Sequence, residues 1–187
     1  MTNRITEQTK QWFIEALFNL MKTKDYSLIS VTEICKEAQL SRRTFYRRFK
    51  TKQAILDSYF EKKINSYTSY IKNKMPQNFY ELVTIFFSFW EKEQSDLKIL
   101  QKNNLLVPML YKFNSLSPEI YDSVNFPWHI QDTSTKKNQI NLLLLFSIGG
   151  LWNILSNQLE EGNNLSAQAL STNINKSLHN LFKESIN

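Results

Sequence analysis

The sequence predicts an all-α protein of about nine helices, in which a three-helix N-terminal head precedes a larger helical body. Apolar residues recur at helical spacing along most of the chain, and strand-like alternation is hard to find. Residues 1–75 contain neither glycine nor proline, so they hold no strong helix breaker. The chain has 187 residues, enough to bury a sizeable core, and its single cysteine, Cys35, can form no internal disulfide.

The N-terminal third shows start signals for several helices. A first helix is expected over residues 6–23, because its apolar residues form one inner stripe. Ser30 and Glu33 form an S-x-x-E capping box, which predicts the start of a short second helix. Thr51 is a good cap for a long fourth helix over about residues 52–74.

A third helix is predicted over residues 42–48, with Ser41 as its N-cap. A tight turn at Gln39 and Leu40 separates it from the second helix. Two short helices joined by such a turn are typical of a helix-turn-helix, whose second helix enters the major groove of DNA. The sequence therefore predicts a DNA-binding motif over residues 30–52.

The basic residues of the chain are concentrated in the same region. Residues 1–60 contain eleven Lys/Arg and six Asp/Glu, whereas residues 61–187 contain twelve and eleven. Residues 41–52 carry six basic side chains and no acidic one. Such a cluster is typical of polyanion binding, although charge alone fits a solvated helix face equally well.

The third helix divides into an anchoring face and a face for DNA. Phe45 and Phe49, four residues apart, are expected to pack inward. The exposed arc then consists of Arg42, Arg43, Thr44, Tyr46 and Arg47. Arginine can bind guanine or phosphate, threonine can touch a base edge, and a tyrosine hydroxyl can reach a phosphate.

Residues 31–56, V-T-E-I-C-K-E-A-Q-L-S-R-R-T-F-Y-R-R-F-K-T-K-Q-A-I-L, resemble the DNA-binding signature of the TetR (tetracycline repressor) family. The resemblance implies base contacts from the start of the third helix, and phosphate contacts from Tyr46, Lys52 and the start of the second helix. The implied DNA-binding set is Val31, Thr32, Ser41, Arg42, Arg43, Thr44, Tyr46, Arg47 and Lys52.

Two positions depart from the family pattern. Gln39 stands where the family usually has glycine, which predicts either a strained positive φ or a different turn. Cys35 stands where a small residue is common, and a small buried apolar role is favoured over a redox sensor.

The resemblance also implies the organisation of the molecule. Residues 1–50 would bind DNA, and residues 51–187 would bind a small-molecule ligand and form a homodimer on a palindromic operator in double-stranded DNA. The apolar run at residues 142–152, followed by Q-L-E-E-G, resembles the C-terminal domain type common in low-GC Gram-positive members. This run is shorter than the roughly 20 residues of a membrane span, so we expect a buried helix and no membrane association.

Helices are expected in the body at the following positions, with a loop or broken helix over residues 114–137: residues 79–93, 96–102, 105–113, 138–159 and 166–183. The last two resemble the dimerising pair of the family, although their apolar stripes could instead be intrachain core. The residues expected at the dimer interface are Leu143, Ser147, Gly150, Leu151, Ile154, Leu170, Ile174, Leu178 and Leu181.

A ligand pocket is expected from the family and from the aromatic residues of the body. Its candidate lining is Phe86, Phe87, Trp90, Tyr111, Trp128, Phe146 and Trp152, although plain core packing could account for any one of them. No arginine follows Arg48, which favours a neutral or cationic lipophilic ligand over an anionic one.

Catalytic motifs are missing from the sequence. It contains no H-E-x-x-H, G-x-S-x-G, P-loop or Rossmann glycine pattern, and one cysteine with two histidines argues against a zinc site. We therefore predict a cytoplasmic transcriptional regulator without catalytic residues, metal or cofactor, most simply a repressor released by its ligand. The alternatives are an activator or co-activator of the same family, and a helical interaction protein that has lost specific DNA binding.

Overall fold

The computed structural model describes residues 2–124, 126–127, 134–162 and 165–184, without the side chains of residues 2–3, 134–136 and 181–184. This part of the chain forms nine α-helices and one short 3-10 helix, Tyr26–Leu28, and it contains no strand. The α-helices are α1 (Thr2–Met21), α2 (Val31–Glu37), α3 (Arg42–Arg48), α4 (Lys52–Lys74), α5 (Phe79–Lys92), α6 (Gln94–Lys102), α7 (Leu106–Ser123), α8 (Ser134–Glu161) and α9 (Ala167–Glu184). The predicted all-α class is confirmed. Below, α1–α3 are called the head and α4–α9 the body.

Side-chain caps fix where the helices of the head begin, as predicted. The Ser30 hydroxyl accepts from the Glu33 amide at 3.2 Å, and the Glu33 carboxylate accepts from the Ser30 amide at 2.9 Å. The hydroxyls of Ser41 and Thr51 accept from the backbone amide three residues on, at 3.1 and 3.2 Å. Each such cap is worth about 1 kcal/mol of helix stability.

Helix α1 lies at the centre of the head. Its fully buried Phe13 meets the rings of Phe45 and Phe49 edge-on, at 5.5 and 6.0 Å between centroids. One turn later, Phe18 packs on Tyr59 of α4 at 4.4 Å. Helix α1 therefore holds the third helix on one side and the first helix of the body on the other.

A cluster of aromatic side chains joins α4, α5, α7 and α8 in the body. Tyr67 lies 5.9 Å from Phe86 and 5.5 Å from Phe113, and Trp90 lies 5.4 Å from Trp152, measured between ring centroids. Edge-to-face pairs of this kind add about 0.5–1.5 kcal/mol to the burial of their rings. The core of the body is thus built from aromatic contacts between four helices.

The loop predicted over residues 114–137 is wrong in its first part, because α7 continues to Ser123 with Pro118 inside it. A proline cannot donate the backbone hydrogen bond that the carbonyl four residues earlier would accept. Here the Ser117 hydroxyl donates to that carbonyl, on Asn114, at 2.9 Å. A serine beside the proline therefore lets the helix continue.

The prediction that residues 142–152 form a buried helix is wrong for their first half. Ile148, Leu151 and Trp152 of α8 are buried, but Leu142 is 64% exposed and Phe146 is 75% exposed. Among the described residues, one stretch, Lys137–Glu161 of this helix, has the length and apolar composition that crossing a membrane would need. Helix α8 packs on α5, α6 and α7, whereas α9 lies chiefly along α5.

Candidate nucleic-acid interface

The turn between α2 and α3 is closed by two backbone hydrogen bonds. The amide of Gln39 donates to Lys36 at 3.1 Å, and the amide of Leu40 donates to Cys35 at 3.0 Å. This pattern places the residue after the helix cap in the left-handed region, where glycine is usual. Gln39 has a φ of 53°, which confirms the first of the two turn geometries predicted for this position.

Helix α3 is anchored by one face and leaves the other open to solvent. Phe45 is fully buried and Phe49 is 5% exposed, whereas Arg42, Arg43, Tyr46 and Arg47 are exposed. The Arg42 guanidinium lies 5.9 Å from the centre of the Tyr46 ring. No ion pair among the described residues involves these arginines, so their charge is available to a polyanion.

The other predicted DNA-binding residues lie around this arc. The half-buried Thr44 has its hydroxyl 3.0 Å from that of Ser41, so both side chains serve the helix cap. At the start of α2, Val31 is half-buried and Thr32 is exposed. The structure thus brings the start of α2 and the arc of α3 into one unit joined by a short turn.

Lys52 has partners within the protein. Its ammonium donates to the carbonyls of Tyr26, Ser27 and Ile29, at 2.6, 3.2 and 2.7 Å, and lies 4.4 Å from the Tyr26 ring centre. Burial lowers the pKa of Lys52 from its usual value. The ammonium therefore binds the segment before α2, and its expected phosphate contact stays a prediction.

A cavity of about 90 Å³ lies between α4, α5, α7 and α8. Its wall is apolar apart from the hydroxyl-bearing Tyr67, Ser117, Tyr121 and Ser147. The other lining residues are Ile71, Phe79, Leu82, Phe86, Phe113, Ile120, Phe126, Leu143, Leu144, Ile148 and Leu151. Among the residues that the structure describes, no charged side chain lines this cavity.

Of the described residues predicted to line a ligand pocket, only Phe86 lies in the wall of this cavity. Phe87 and Trp90 line a smaller void of about 30 Å³ beside α9, and Trp152 is buried in the aromatic cluster. Tyr111 and Phe146 are exposed at the surface, and Trp128 lies outside the described residues. Sequence reasoning missed Ser117 and predicted Ser147 at the dimer interface and not in the cavity wall, although small hydroxyl residues on apolar helix faces were a signal for both.

The residues predicted at a dimer interface are placed on two helices that face different neighbours. On α8, Leu143 and Gly150 are exposed, Ser147 and Ile154 are half-buried, and Leu151 points into the core. On α9, three apolar residues are half-buried, and the side chain of a fourth lies outside the described residues: Leu170, Ile174, Leu178 and, undescribed, Leu181. The exposed Leu142, Leu145 and Phe146 extend the apolar surface of α8, and none of the three was predicted at the dimer interface.

Comparison with known proteins places the head in a family. Residues 13–59 match the sequence model of the family described as "Bacterial regulatory proteins, tetR family". The match takes in the C-terminal part of α1, all of α2 and α3, and the beginning of α4. A search of curated proteins found no match to the chain.

Replacing Gln39 with glycine should raise the free energy of unfolding by roughly 1 kcal/mol. A left-handed backbone costs an L-residue roughly 1–2 kcal/mol, and the greater freedom of glycine in the unfolded chain offsets part of the gain. Urea denaturation followed by circular dichroism measures the change. As a control, Lys176→Gly at an exposed position in the middle of α9 should lower stability by about 1 kcal/mol. Destabilisation by both changes would contradict the assigned turn.

Proposed function

We propose that the chain, whose residues 13–59 match the TetR family model, is a homodimeric transcriptional repressor that leaves its operator when a small uncharged ligand enters the body. The observation that carries this proposal is the exposed arc of α3, with Arg42, Arg43, Tyr46 and Arg47 on the side opposite the buried Phe45. A short helix presented in this way fits the major groove of DNA.

On DNA, the arc of α3 would read bases while its surroundings fix the position of the head. Arg42 and Arg43 at the start of α3 can donate two hydrogen bonds each to guanine O6 and N7. Tyr46 and Arg47 lie farther along the arc, where a hydroxyl or guanidinium can reach phosphate oxygens. The exposed Thr32 at the start of α2 can do the same.

The exposed apolar surface of α8 supports a dimer. Leu142, Leu143, Leu145 and Phe146 are between 48% and 75% exposed, and an apolar patch of this kind is typical of a protein interface. A Cβ built on Gly150 would meet nothing within 4 Å in the single chain, so glycine there leaves room for another helix. A second copy of α8 would bury this surface and place two heads on successive major grooves, about 34–36 Å apart.

The cavity between α4, α5, α7 and α8 is the proposed ligand site. An engineered apolar cavity of about 150 Å³ binds benzene, so a cavity of about 90 Å³ suits a small molecule and must expand for a larger one. The wall offers hydroxyls and no carboxylate, which favours a neutral ligand over a cationic one. A ligand that binds one arrangement of the two heads better than the other would shift the population of dimers.

The remaining parts of the proposal follow the family resemblance. The region from residue 51 to 187 would sense the ligand and form the dimer, and its type would be the one common in low-GC Gram-positive bacteria. The Q-L-E-E-G sequence after residue 157 supports that assignment. The proposed regulator would act in the cytoplasm.

The DNA-binding role predicts a preferred, roughly palindromic site when the purified protein selects from random DNA. Arg42→Ala should then reduce discrimination against the wrong base by about 1–3 kcal/mol at one position per half-site. Lys176→Ala on α9 removes one positive charge far along the chain and should leave that discrimination unchanged. Both are measured by fluorescence anisotropy on the selected site and its single-base variants. A wild-type protein that selects no preferred site would overturn the proposed function.

The dimer predicts that Phe146→Glu separates the subunits. A carboxylate on the exposed surface of α8 would be buried opposite its own copy, and burying unpaired charge is costly. Sedimentation velocity should show a dimer for the wild type and a species near 22.2 kDa for the variant. Trp12→Glu replaces an aromatic residue of α1 that is 44% exposed and should leave the dimer intact. Loss of the dimer in the control alone would place the interface on α1.

The ligand site predicts saturable stabilisation by small neutral aromatic molecules. Benzene and phenol should raise the melting temperature of the protein, while benzoate and benzylammonium at equal concentration should not, because the wall holds no charge. Ser147→Leu should fill the cavity and abolish the response. Ser115→Leu adds the same volume at an exposed position of α7 and should preserve it. Stabilisation by benzylammonium alone would contradict the proposed ligand class.

A further inference from the structure

The connection between α1 and α2, residues 22–29 and here called the joint, is bound by side chains of the body. The Asn103 side chain accepts from the Tyr26 amide at 2.7 Å and donates to the carbonyl of Met21, the last residue of α1, at 3.2 Å. Beside it, the Lys102 ammonium donates to the Lys22 carbonyl at 2.9 Å. The C-terminal end of α6 is therefore hydrogen-bonded to the backbone at the end of α1 and in the joint.

Asn103 is held in place by the way α6 ends. Its side chain also donates to the Ile99 carbonyl at 2.8 Å, within its own helix. Directly after it, Asn104 has a φ of 58°, and the amide of Leu105 donates to Leu100 at 2.8 Å. Leu100 and Leu105 are both buried, as in the usual closure of a helix by a left-handed residue. The amide of Asn103 is thus presented to the joint from a fixed backbone.

The joint is bound from α4 as well. The carbonyls of Tyr26, Ser27 and Ile29 accept from Lys52, while the amide of Tyr26 donates to Asn103. The backbone carbonyls of this short turn are therefore bound by α4, and its Tyr26 amide is bound by Asn103 at the end of α6. Because only the cap residue Ser30 separates the joint from α2, the position of α2 and α3 on the body depends on where this turn is held.

The other end of α6 is tied to the middle of α4. The Tyr59 hydroxyl donates to the Asp96 carboxylate at 2.9 Å, and Lys63 pairs with Asp96 at 3.4 Å and with Glu93. Between the two ends, Leu97 is fully buried. A displacement of α6 in the body would therefore be carried to the joint through Asn103.

We propose that Asn103 is a positioning residue that sets the angle of the head on the body, and with it the spacing of half-sites that the dimer prefers. It does not touch DNA, and it acts on the arc of α3 through the joint. Its side chain accepts from Tyr26 in the joint and donates to Met21 just before the joint, so alanine removes both bonds at once. This inference rests on the proposed dimer.

The test compares full operators of varied half-site spacing with a single half-site, using the DNA that the wild-type protein selects. The wild type should bind its preferred spacing at least tenfold better than spacings changed by two base pairs. Asn103→Ala should bind the single half-site within twofold of the wild type, yet bind the preferred full site about tenfold more weakly and lose most of its spacing preference. The matched control, Asn73→Ala at an exposed position of α4, should behave as the wild type.

Equal weakening on the half-site and the full site would show a merely structural role and overturn the inference, as would an unchanged spacing preference. If Asn103→Ala is unfolded at the assay temperature, the same comparison is made with Lys102→Met, which removes only the bond to the Lys22 carbonyl. That variant should shift the spacing preference in the same direction by a smaller factor, and no shift would overturn the inference. Failure of the dimer itself is seen separately, as a wild type that binds both DNAs equally.

Discussion

The contact of Phe13 with Phe45 of α3 and with Phe49, the residue after α3, is the interaction on which the exposed arc of α3 depends. A helix of seven residues has little stability of its own, so α3 keeps its shape through its packed face and its cap. With Phe45 fixed beneath Phe13, the exposed positions of α3 are Arg42, Arg43, Tyr46 and Arg47. The same α1 rests on Tyr59 of α4 through Phe18, so the anchor of α3 is also the contact between head and body.

Local signals in the sequence were enough to predict most of the head. Ser30, Ser41 and Thr51 cap their helices through bonds that span only three residues, which is why the bounds of α3 and α4 could be read directly. The partners of Lys52 could not, because sequence shows its charge and its place near a helix start but not the carbonyls 23 to 26 residues earlier that fold back to it. Asn103, bonded 77 residues away, was missed for the same reason.

In the body, the sequence showed that aromatic residues are abundant but not whether each one lies in the core or in a cavity wall. Trp90 and Trp152 were placed in a ligand pocket, yet they pack on each other, because an aromatic residue fits a core as well as a cavity wall. Pro118 predicted a loop, but the Ser117 hydroxyl donates to the Asn114 carbonyl that the proline leaves without a backbone donor, and the helix continues. Tyr67 belongs both to the aromatic cluster and to the cavity wall, and burial raises the pKa of its phenol, so its hydroxyl remains a neutral hydrogen-bond donor. Tyr67, which lines the cavity, and Lys52, which binds the joint, both belong to α4. The cavity and the joint are therefore connected by one continuous helix.

The ammonium of Lys52 has a consequence for the modularity of this protein. It lies just past residue 50, where the sequence suggests a boundary, yet its bonds reach back to residues that precede α2. A head excised at that boundary would lose the donor that closes its own first connection, and a body grafted to another head would carry a lysine with nothing to bind. Exchange of heads between regulators of this kind would therefore need to include the first turns of α4, with the end of α6 matched to the incoming joint. The segment that can be exchanged is therefore defined by the hydrogen bonds between the joint, α4 and α6, and not by the residue at which the helix-turn-helix motif ends.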